Sequence, residues 1–262
     1  YYLPQRVLRA GYSRALRLAL RCCSRVVVLT SSTRDAYRCV YPQQIEKVVV
    51  LPNMVNLARV DAARPSTSLR EQLDLAANTR LVTMVGRLSR EKDWLTFLRV
   101  AQYVGVGQVH PYVFLAVGGG PEEPALRAQR DVLGLEHVML LGHRDDVPDL
   151  LRQSDVFLLT SEREQFPVVL LEAMAAGLPV VTTAFPGVDD IITPGVHGLS
   201  APVRDAEGLA RCVLQLLEDD GLCERMGAAG RARVEERFGI DVIRERLSQI
   251  YEELLAAAGV PA

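Results

Sequence analysis

The sequence predicts an α/β fold built on a doubly wound parallel sheet. From Leu81 onward, short runs that are almost wholly apolar alternate with longer stretches of helical pattern. Strands that are buried on both faces of a parallel sheet are apolar along their whole length. A helix after each such strand is typical of parallel crossover connections. With 262 residues, 49% of them hydrophobic, the chain is long enough to bury a substantial core around such a sheet.

The elements follow in order along the chain. Two strands are expected at 25–30 and 47–51, with Ser31–Thr33 as the N-cap of a short helix between them. Further strands are expected at 81–86, 113–118, 138–141, 156–160 and 180–183. Helices are expected at 94–104, 121–134, 146–153, 167–176 and 205–218. Residues 221–258 predict two helices broken at Phe238-Gly239, and Gly195–Leu199 predicts a turn into an edge strand.

Residues 4–23 predict a basic amphipathic helix, with Leu and Val at three-to-four spacing between arginines. A helix of this kind can attach to an anionic membrane surface. It can equally pack on its own sheet and leave the arginines in water. We favour the second interpretation, because Gly11 weakens the helix.

Charge and cysteine content restrict the class of protein. The chain has 30 basic and 32 acidic side chains, so its net charge of −2 gives no bias toward nucleic acid. Five cysteines without metal-type spacing predict reduced thiols, and hence a cytoplasmic protein. No apolar run is long enough to cross a membrane. The chain opens at Tyr1 in what reads as the interior of a protein, so we expect a fragment.

The most informative segment is 161–183, which carries Glu164 and Glu172. Pro167 suits the first position of a helix and Gly177 suits the position just after its end. Glu164 would then precede a helix N-terminus, and Glu172 would lie inside the helix. A helix N-terminus binds anions. Carboxylates on both sides of it suit a ligand with phosphate in the middle and hydroxyls at the ends, such as a nucleotide-sugar.

These residues resemble a known family signature. Glu164, seven residues, Glu172, then Ala173-Met174 and Gly177-x-Pro179 is similar to the signature of retaining GT-B glycosyltransferases of family 4. The resemblance implies a Rossmann-like GT-B fold, with Glu164 beside the transferred sugar and Glu172 on the ribose hydroxyls. Gln165 stands where the family usually has Gly. The donor sugar is therefore less well determined than the nucleotide.

The loop 86–92 follows a predicted strand, where a sheet of this type places its ligands. Arg87 and Lys92 can neutralise the charge of a leaving diphosphate. The resemblance assigns the same contact to them. Taken alone, the pair would more often be a solvated loop. Asp93 is expected to cap the next helix.

A second loop, Gly118–Gly120, has two interpretations that the sequence leaves open. The glycines can serve a strand-to-helix turn that needs positive φ, with Pro121 at the helix start. They can also allow a ligand close to the backbone, and in the family this loop borders the nucleotide. The spacing does not match a dinucleotide-binding fingerprint, because Glu123 occupies the third glycine position.

The segment 141–148 resembles the family turn that faces the base, which places His143 and Arg144 beside the nucleotide. His143 is interpreted as a surface or base-stacking residue and not as a general base. The pairs Asp145-Asp146 and Asp189-Asp190 are interpreted as caps and charge at helix starts. We therefore expect no metal site.

Thirteen residues are candidates for the site. The catalytic candidates are Glu164, Arg87 and Lys92. The candidates for substrate binding are Glu172, Gly86, Gly118, Gly119, His143, Arg144, Gln165, Phe166, Pro167 and Val168. No cofactor is expected besides the donor substrate, a UDP- or GDP-sugar.

The resemblance also implies a domain organisation. Residues 1–55 would be the end of an N-terminal acceptor domain and the linker, 56–239 the donor-binding domain, and 240–262 a helix that crosses back. Most of the acceptor domain would be missing, which argues against activity of this chain alone.

The predicted function is transfer of a hexose, with retention, from a nucleotide-diphosphate sugar to a glycan or a lipid-linked acceptor. Peripheral contact with the inner face of a membrane, through the missing N-terminal domain or residues 4–23, is a further expectation. The first alternative is a donor-binding fragment or subunit that does not catalyse transfer by itself. The second is an unrelated nucleotide-binding oxidoreductase, which the lack of a Gly-x-Gly-x-x-Gly motif disfavours.

Overall fold

The computed structural model describes residues 18, 20–64, 67–105 and 111–259. The chain divides into two compact units, one from Tyr1–Asn53 with Ile243–Ala262 and one of Met54–Val242. The domain boundaries at 55 and 239 stay a prediction. Most of the helix expected at 4–23 lies outside the described residues.

The first unit contains a two-stranded parallel sheet of β1 (Val26–Val28) and β2 (Val48–Val50). Helix α1 (Ser31–Val40) connects the strands. Its N-cap is Thr30, whose hydroxyl oxygen accepts from the Thr33 N–H at 3.1 Å. The expected cap at Ser31–Thr33 is therefore wrong by one residue, because those residues already form the first turn of the helix.

The second unit contains a six-stranded sheet in the order β5-β4-β3-β6-β7-β8, and every neighbouring pair is parallel. The strands are β3 (Arg80–Val85), β4 (Tyr112–Val117), β5 (Val138–Gly142), β6 (Val156–Leu159), β7 (Val180–Thr183) and β8 (Leu199–Ala201). The predicted parallel sheet is confirmed, as is the edge strand after Gly198.

Ten helices begin in the described part of this unit. They are α2 (Leu57–Asp61), α3 (Leu69–Gln72), α4 (Trp94–Val104), α5 (Glu123–Val132), α6 (Val147–Gln153), α7 (Val168–Ala175), α8 (Val188–Ile191), α9 (Ala206–Glu218), α10 (Asp220–Arg237) and α11 (Ile240–Ala257). The three shortest, α2, α3 and α8, were not predicted, since four or five residues carry no helical periodicity. Helix α5 begins at Glu123 and not at Pro121, and Pro124 occupies its first turn.

Helices cover both faces of the sheet, as a doubly wound fold requires. On β4, Leu115 belongs to the same buried cluster as Leu150 of α6. The next residue back, Phe114, packs edge-to-face on Phe97 of α4 with ring centroids 5.6 Å apart. Since successive side chains of a strand point to opposite faces, α4 and α6 lie on opposite sides.

An ionic cluster supports the amino ends of the central strands. The Asp155 carboxylate accepts from Arg70 at 2.6 Å, from Arg80 at 3.1 Å and from the Leu81 N–H at 2.7 Å. This cluster ties α3 and β3 to the start of β6, at the end of the sheet opposite the ligand site that the fold predicts.

The strand order reverses between β3 and β6. From β3 the chain continues outward through β4 and β5, whereas β6, β7 and β8 extend on the other side. In open α/β sheets, ligands bind outside the carboxyl ends of the strands at such a reversal. We therefore expect the functional site between the loops that leave β3 and β6.

Candidate active site

The loop after β3 is held rigidly by the first residues of α4. Trp94 is buried, and its indole N–H donates to the Arg87 carbonyl at 3.0 Å. Asp93 adopts a left-handed conformation (φ 50°) and its carboxylate accepts from the Thr96 backbone N–H at 3.3 Å, which confirms the predicted cap, and from the Thr96 hydroxyl at 2.6 Å. This anchoring fixes the backbone of Lys92, while the Arg87 side chain is exposed.

The glycine loop packs against this β3 loop. Gly118 has φ +138°, and a Cβ there would lie 1.9 Å from the Gly86 carbonyl oxygen. A Cβ at Gly120 would lie 2.4 Å from the Leu88 carbonyl oxygen, whereas one at Gly119 would meet no atom within 4 Å. Chain packing thus explains Gly118 and Gly120, and Gly119 has open space beside it.

The loop after β6 is held by buried hydroxyl groups at the ends of two strands. Thr160 donates to the Lys92 carbonyl at 3.1 Å, and Thr183 donates to the Ser161 carbonyl at 2.6 Å. The Ser161 hydroxyl donates to Glu164 Oε1 at 2.7 Å. The sequence did not predict these three roles, although a polar residue at the end of an apolar strand was an available signal.

Lys92 and Glu164, which are 72 residues apart in sequence, meet between the two loops. The Lys92 ammonium donates to Glu164 Oε1, and the side chains are only 16% and 12% exposed. A pair with so little contact with water interacts more strongly than a surface pair. The structure therefore brings together two of the three predicted catalytic side chains.

Helix α7 begins one residue later than predicted. Pro167 is its N-cap, with φ −69° and ψ 114°, so Val168 is the first helical residue. At the other end Gly177 has φ +76°, its N–H bonds the Met174 carbonyl, and the Leu178 N–H bonds the Ala173 carbonyl. This pattern is a Schellman motif, which confirms the predicted helix end at Gly177.

Glu172 lies about one turn inside α7 and is half-buried. Burial raises the pKa of its carboxyl group, and the positive charge of Arg59 on α2 opposes that shift. Its carboxyl oxygens can accept hydrogen bonds from hydroxyls.

These elements surround an open pocket of about 430 Å³, within the range of small-molecule sites. It is lined by Arg59, Val85, Gly86, Lys92, His143, Arg144, Asp145, Val147, Pro167, Val168, Val169 and Glu172. Seven of these are among the predicted site residues; the other five are not, namely Arg59, Val85, Asp145, Val147 and Val169.

Other predicted site residues do not line this pocket. They are Arg87, Gly118, Gly119, Glu164, Gln165 and Phe166. Glu164 does not border the pocket itself, but it binds Lys92, which does. The Phe166 side chain is 3% exposed and packs on Phe238 with ring centroids 5.4 Å apart, so it is a core side chain. Gln165 is exposed.

Two pairs of side chains lie in contact in the loop after β5. His143 is exposed, with Nε2 3.3 Å from Asp145. Arg144 binds Asp146 at 2.6 and 2.8 Å and lowers the pKa of that carboxyl group. Asp146 occupies the N-cap position of α6 but makes no capping bond, which corrects the role predicted for it. Among the described residues, no cluster of His, Cys, Asp or Glu could hold a metal ion.

Fold and pocket define the class of protein, a GT-B type α/β domain with a ligand pocket at the carboxyl ends of its strands. The chain belongs to the group 1 glycosyl transferases, since the model of that family matches residues 65–233. No helix in the described part of the chain has both the length and the apolar character to cross a membrane.

Curated relatives and solved structures agree with this family. The chain is 32% identical to N-acetyl-alpha-D-glucosaminyl L-malate synthase of Bacillus anthracis, over 75% of this chain and 51% of that protein. It is 28% identical to an Escherichia coli alpha-1,3-galactosyltransferase that acts on GlcNAc-diphosphoundecaprenol, over 90% of this chain and 62% of that protein. The chain thus spans about half to two thirds of the length of these relatives.

Among solved structures, Alr3699/HepE of Anabaena in complex with UDP and glucose superposes with a TM-score of 0.80 at 26% identity. The match covers 94% of this chain and 67% of that one. Sucrose-phosphate synthase of Thermosynechococcus elongatus gives a TM-score of 0.81 at 27% identity, over 95% of this chain and 62% of that one.

Proposed function

We propose that this chain binds a nucleotide-diphosphate sugar and serves the transfer of its hexose to a glycan or lipid-linked acceptor, with retention, as in glycosyltransferase family 4. The observation that carries the proposal is the Lys92–Glu164 pair at the strand reversal, beside a pocket that also contains Glu172. Family membership and the UDP-bound neighbour support it.

Three features serve the nucleotide and its diphosphate. Glu172 accepts hydrogen bonds from the ribose hydroxyls. The N–H groups of Val168 and Val169, in the first turn of α7, point toward the diphosphate together with the positive end of the helix dipole. Arg87 and Lys92 add the two positive charges that a departing diphosphate needs.

Donor binding involves an exchange of partners at Lys92. Without a ligand its ammonium is neutralised by Glu164. A diphosphate carries more negative charge than one carboxylate, so Lys92 turns to the phosphate oxygens. Glu164 still accepts the hydrogen bond from Ser161. The carboxylate oxygen that Lys92 leaves can then accept a hydrogen bond from a sugar hydroxyl.

Transfer with retention uses one face of the sugar. The bond from C1 to the diphosphate oxygen breaks as the acceptor oxygen forms its bond to C1 on the same side, and the acceptor proton passes to the departing phosphate oxygen. Positive charge develops on the sugar during this step. The negative charge of Glu164 stabilises it.

Calorimetry with UDP and GDP tests donor binding. Lys92→Ala should weaken binding of the preferred nucleotide by roughly ten- to a hundredfold, because a charge-assisted contact is lost. Arg99→Ala is the control, since Arg99 is exposed on α4 and does not line the pocket. EDTA should change neither affinity. Equal affinity of wild type and Lys92→Ala would remove Lys92 from the site.

Two further measurements test the reaction class. Incubation of the active enzyme, acceptor domain included, with a UDP- or GDP-sugar and methanol, followed by early NMR spectra, should show a methyl glycoside with the donor's anomeric configuration. The opposite configuration would refute retention. Displacement of bound nucleoside diphosphate by NADH at equal concentration would favour an oxidoreductase.

A further inference from the structure

One arginine of the pocket has no role in the arrangement described above. Arg59 lines the pocket with Glu172, and its backbone N–H donates to the Asn56 side chain at 3.1 Å. This bond caps the start of α2. Among the contacts of the described residues, the Arg59 guanidinium takes part in no hydrogen bond and no ion pair. Its donors are therefore available to a ligand.

Helix α2 is fixed against α7 by an ionic clamp. Asp61 accepts two bonds from Arg231, at 2.8 and 2.9 Å, and Arg231 also donates to the Ala175 carbonyl at the end of α7. Asp61 follows Arg59 by two residues, and Glu172 precedes Ala175 by three. The clamp thereby holds the backbone of Arg59 at a set position relative to Glu172.

The two side chains interact at a distance and not in contact. Arg59 is the positive charge that opposes the effect of burial on the pKa of Glu172. Arg59 and Glu172 nevertheless form no ion pair, although both face the same pocket. A ligand group in this pocket is therefore in reach of both side chains.

The chemistry of the two groups identifies that ligand group. A carboxylate only accepts hydrogen bonds and a guanidinium only donates them. A hydroxyl satisfies both, because it donates one hydrogen and accepts on its lone pairs. We propose that Arg59 is a further donor-binding residue that, together with Glu172, holds the ribose hydroxyls. This inference rests on the proposed nucleotide-sugar function.

Removal of the hydroxyls from the nucleotide tests the inference. Affinities are measured for UDP or GDP, whichever binds more tightly, and for its 2′,3′-dideoxy form. Arg59→Ala should weaken binding of the ribonucleotide by roughly tenfold. It should leave the dideoxy form unchanged, because that ligand lacks the hydroxyls that Arg59 contacts. Glu172→Ala should show the same pattern.

Two variants provide controls. Lys92→Ala should lower the affinity for both ligands by the same factor, and Arg99→Ala should lower the affinity for neither. An equal loss for both ligands in Arg59→Ala would mean that Arg59 contacts phosphate or base, and no loss would mean that it contacts neither; each overturns the inference while the proposed function stands. A wild type that binds no nucleoside diphosphate would instead overturn the proposed function, and this inference with it.

Discussion

The Lys92 ammonium donates to the Glu164 carboxylate across the point where the strand order reverses, between the loops that leave β3 and β6. Trp94 anchors the loop after β3 and Thr183 anchors the loop after β6, and the Thr160 hydroxyl joins the two loops through the Lys92 carbonyl. The fold therefore brings the two side chains together by holding the backbones of their loops. In the proposed function, a diphosphate bound at Lys92 would replace Glu164 as its partner.

The two glutamates of the signature should fail in different ways. In the active enzyme, Glu164→Gln should leave the affinity for UDP or GDP within about threefold, because Lys92 stays available to the diphosphate. Turnover should fall sharply, since charge on the sugar is no longer stabilised. Glu172→Ala should lower the affinity for the nucleotide by roughly tenfold, because ribose contacts are made in both the ground state and the transition state.

Nucleotide affinity and turnover at saturating donor, measured side by side for both variants, check this prediction. Loss of nucleotide affinity in Glu164→Gln with normal turnover would show that the assignment of the pair is reversed.

Two neighbouring glycines should differ in their tolerance of substitution. Gly118→Ala should lower the free energy of unfolding by roughly 3 kcal/mol, because its Cβ meets the Gly86 carbonyl and its φ is positive. Gly119→Ala should unfold like the wild type, since its Cβ would meet open space. Denaturant titration of both variants compares them directly.

The same pair distinguishes packing from ligand contact. If the ligand lies close to Gly119, Gly119→Ala should lower the affinity for UDP or GDP without a change in the free energy of unfolding. Equal stability of the two variants would contradict the packing explanation for Gly118.

The cluster around Asp155 should contribute to stability without a part in binding. Asp155→Asn replaces one acceptor oxygen by a donor that faces Arg70 or Arg80, so it should cost about 2 kcal/mol. Asp131→Asn, which removes an exposed acid paired with Arg130, should change stability by less than about 0.5 kcal/mol. Thermal unfolding measures both. Weaker nucleotide binding in Asp155→Asn, at unchanged stability, would refute a purely structural role.

His197 should make stability depend on pH. Burial, with a contribution from Arg233 and Arg237, lowers the pKa of the His197 ring below 6.5, and its Nδ1 accepts from the Thr193 N–H at 3.1 Å. A group whose pKa is lower in the folded state binds more protons when unfolded. Its stabilisation is therefore complete above pH 6.5 and declines as the pH falls through the folded pKa.

Melting temperatures between pH 5 and 8 test this expectation. His197→Asn keeps an acceptor for Thr193 and should flatten the decline at acid pH. An identical slope in wild type and His197→Asn would contradict the assignment.

Sequence determined the order and type of the long elements. Apolar strands and the start of α4 were located within a residue or two, because burial on both faces and the cap at Asp93 are local properties of the chain. The helix end at Gly177 was also local, since only a residue that tolerates positive φ suits that position. Short helices such as α2 carry too few residues for a periodic signal.

Tertiary structure alone decided which side chains meet. The sequence marked Lys92 and Glu164 as separate contacts, but their pairing depends on β3 and β6 being neighbours in the sheet, which no local pattern specifies. It marked Phe166 as a contact, whereas packing against Phe238, 72 residues later, buries the ring. Arg59 faces the pocket because a clamp between Asp61 and Arg231, 170 residues apart, fixes its helix. Local periodicity reports burial, whereas a binding site depends on contacts between residues that are distant in sequence.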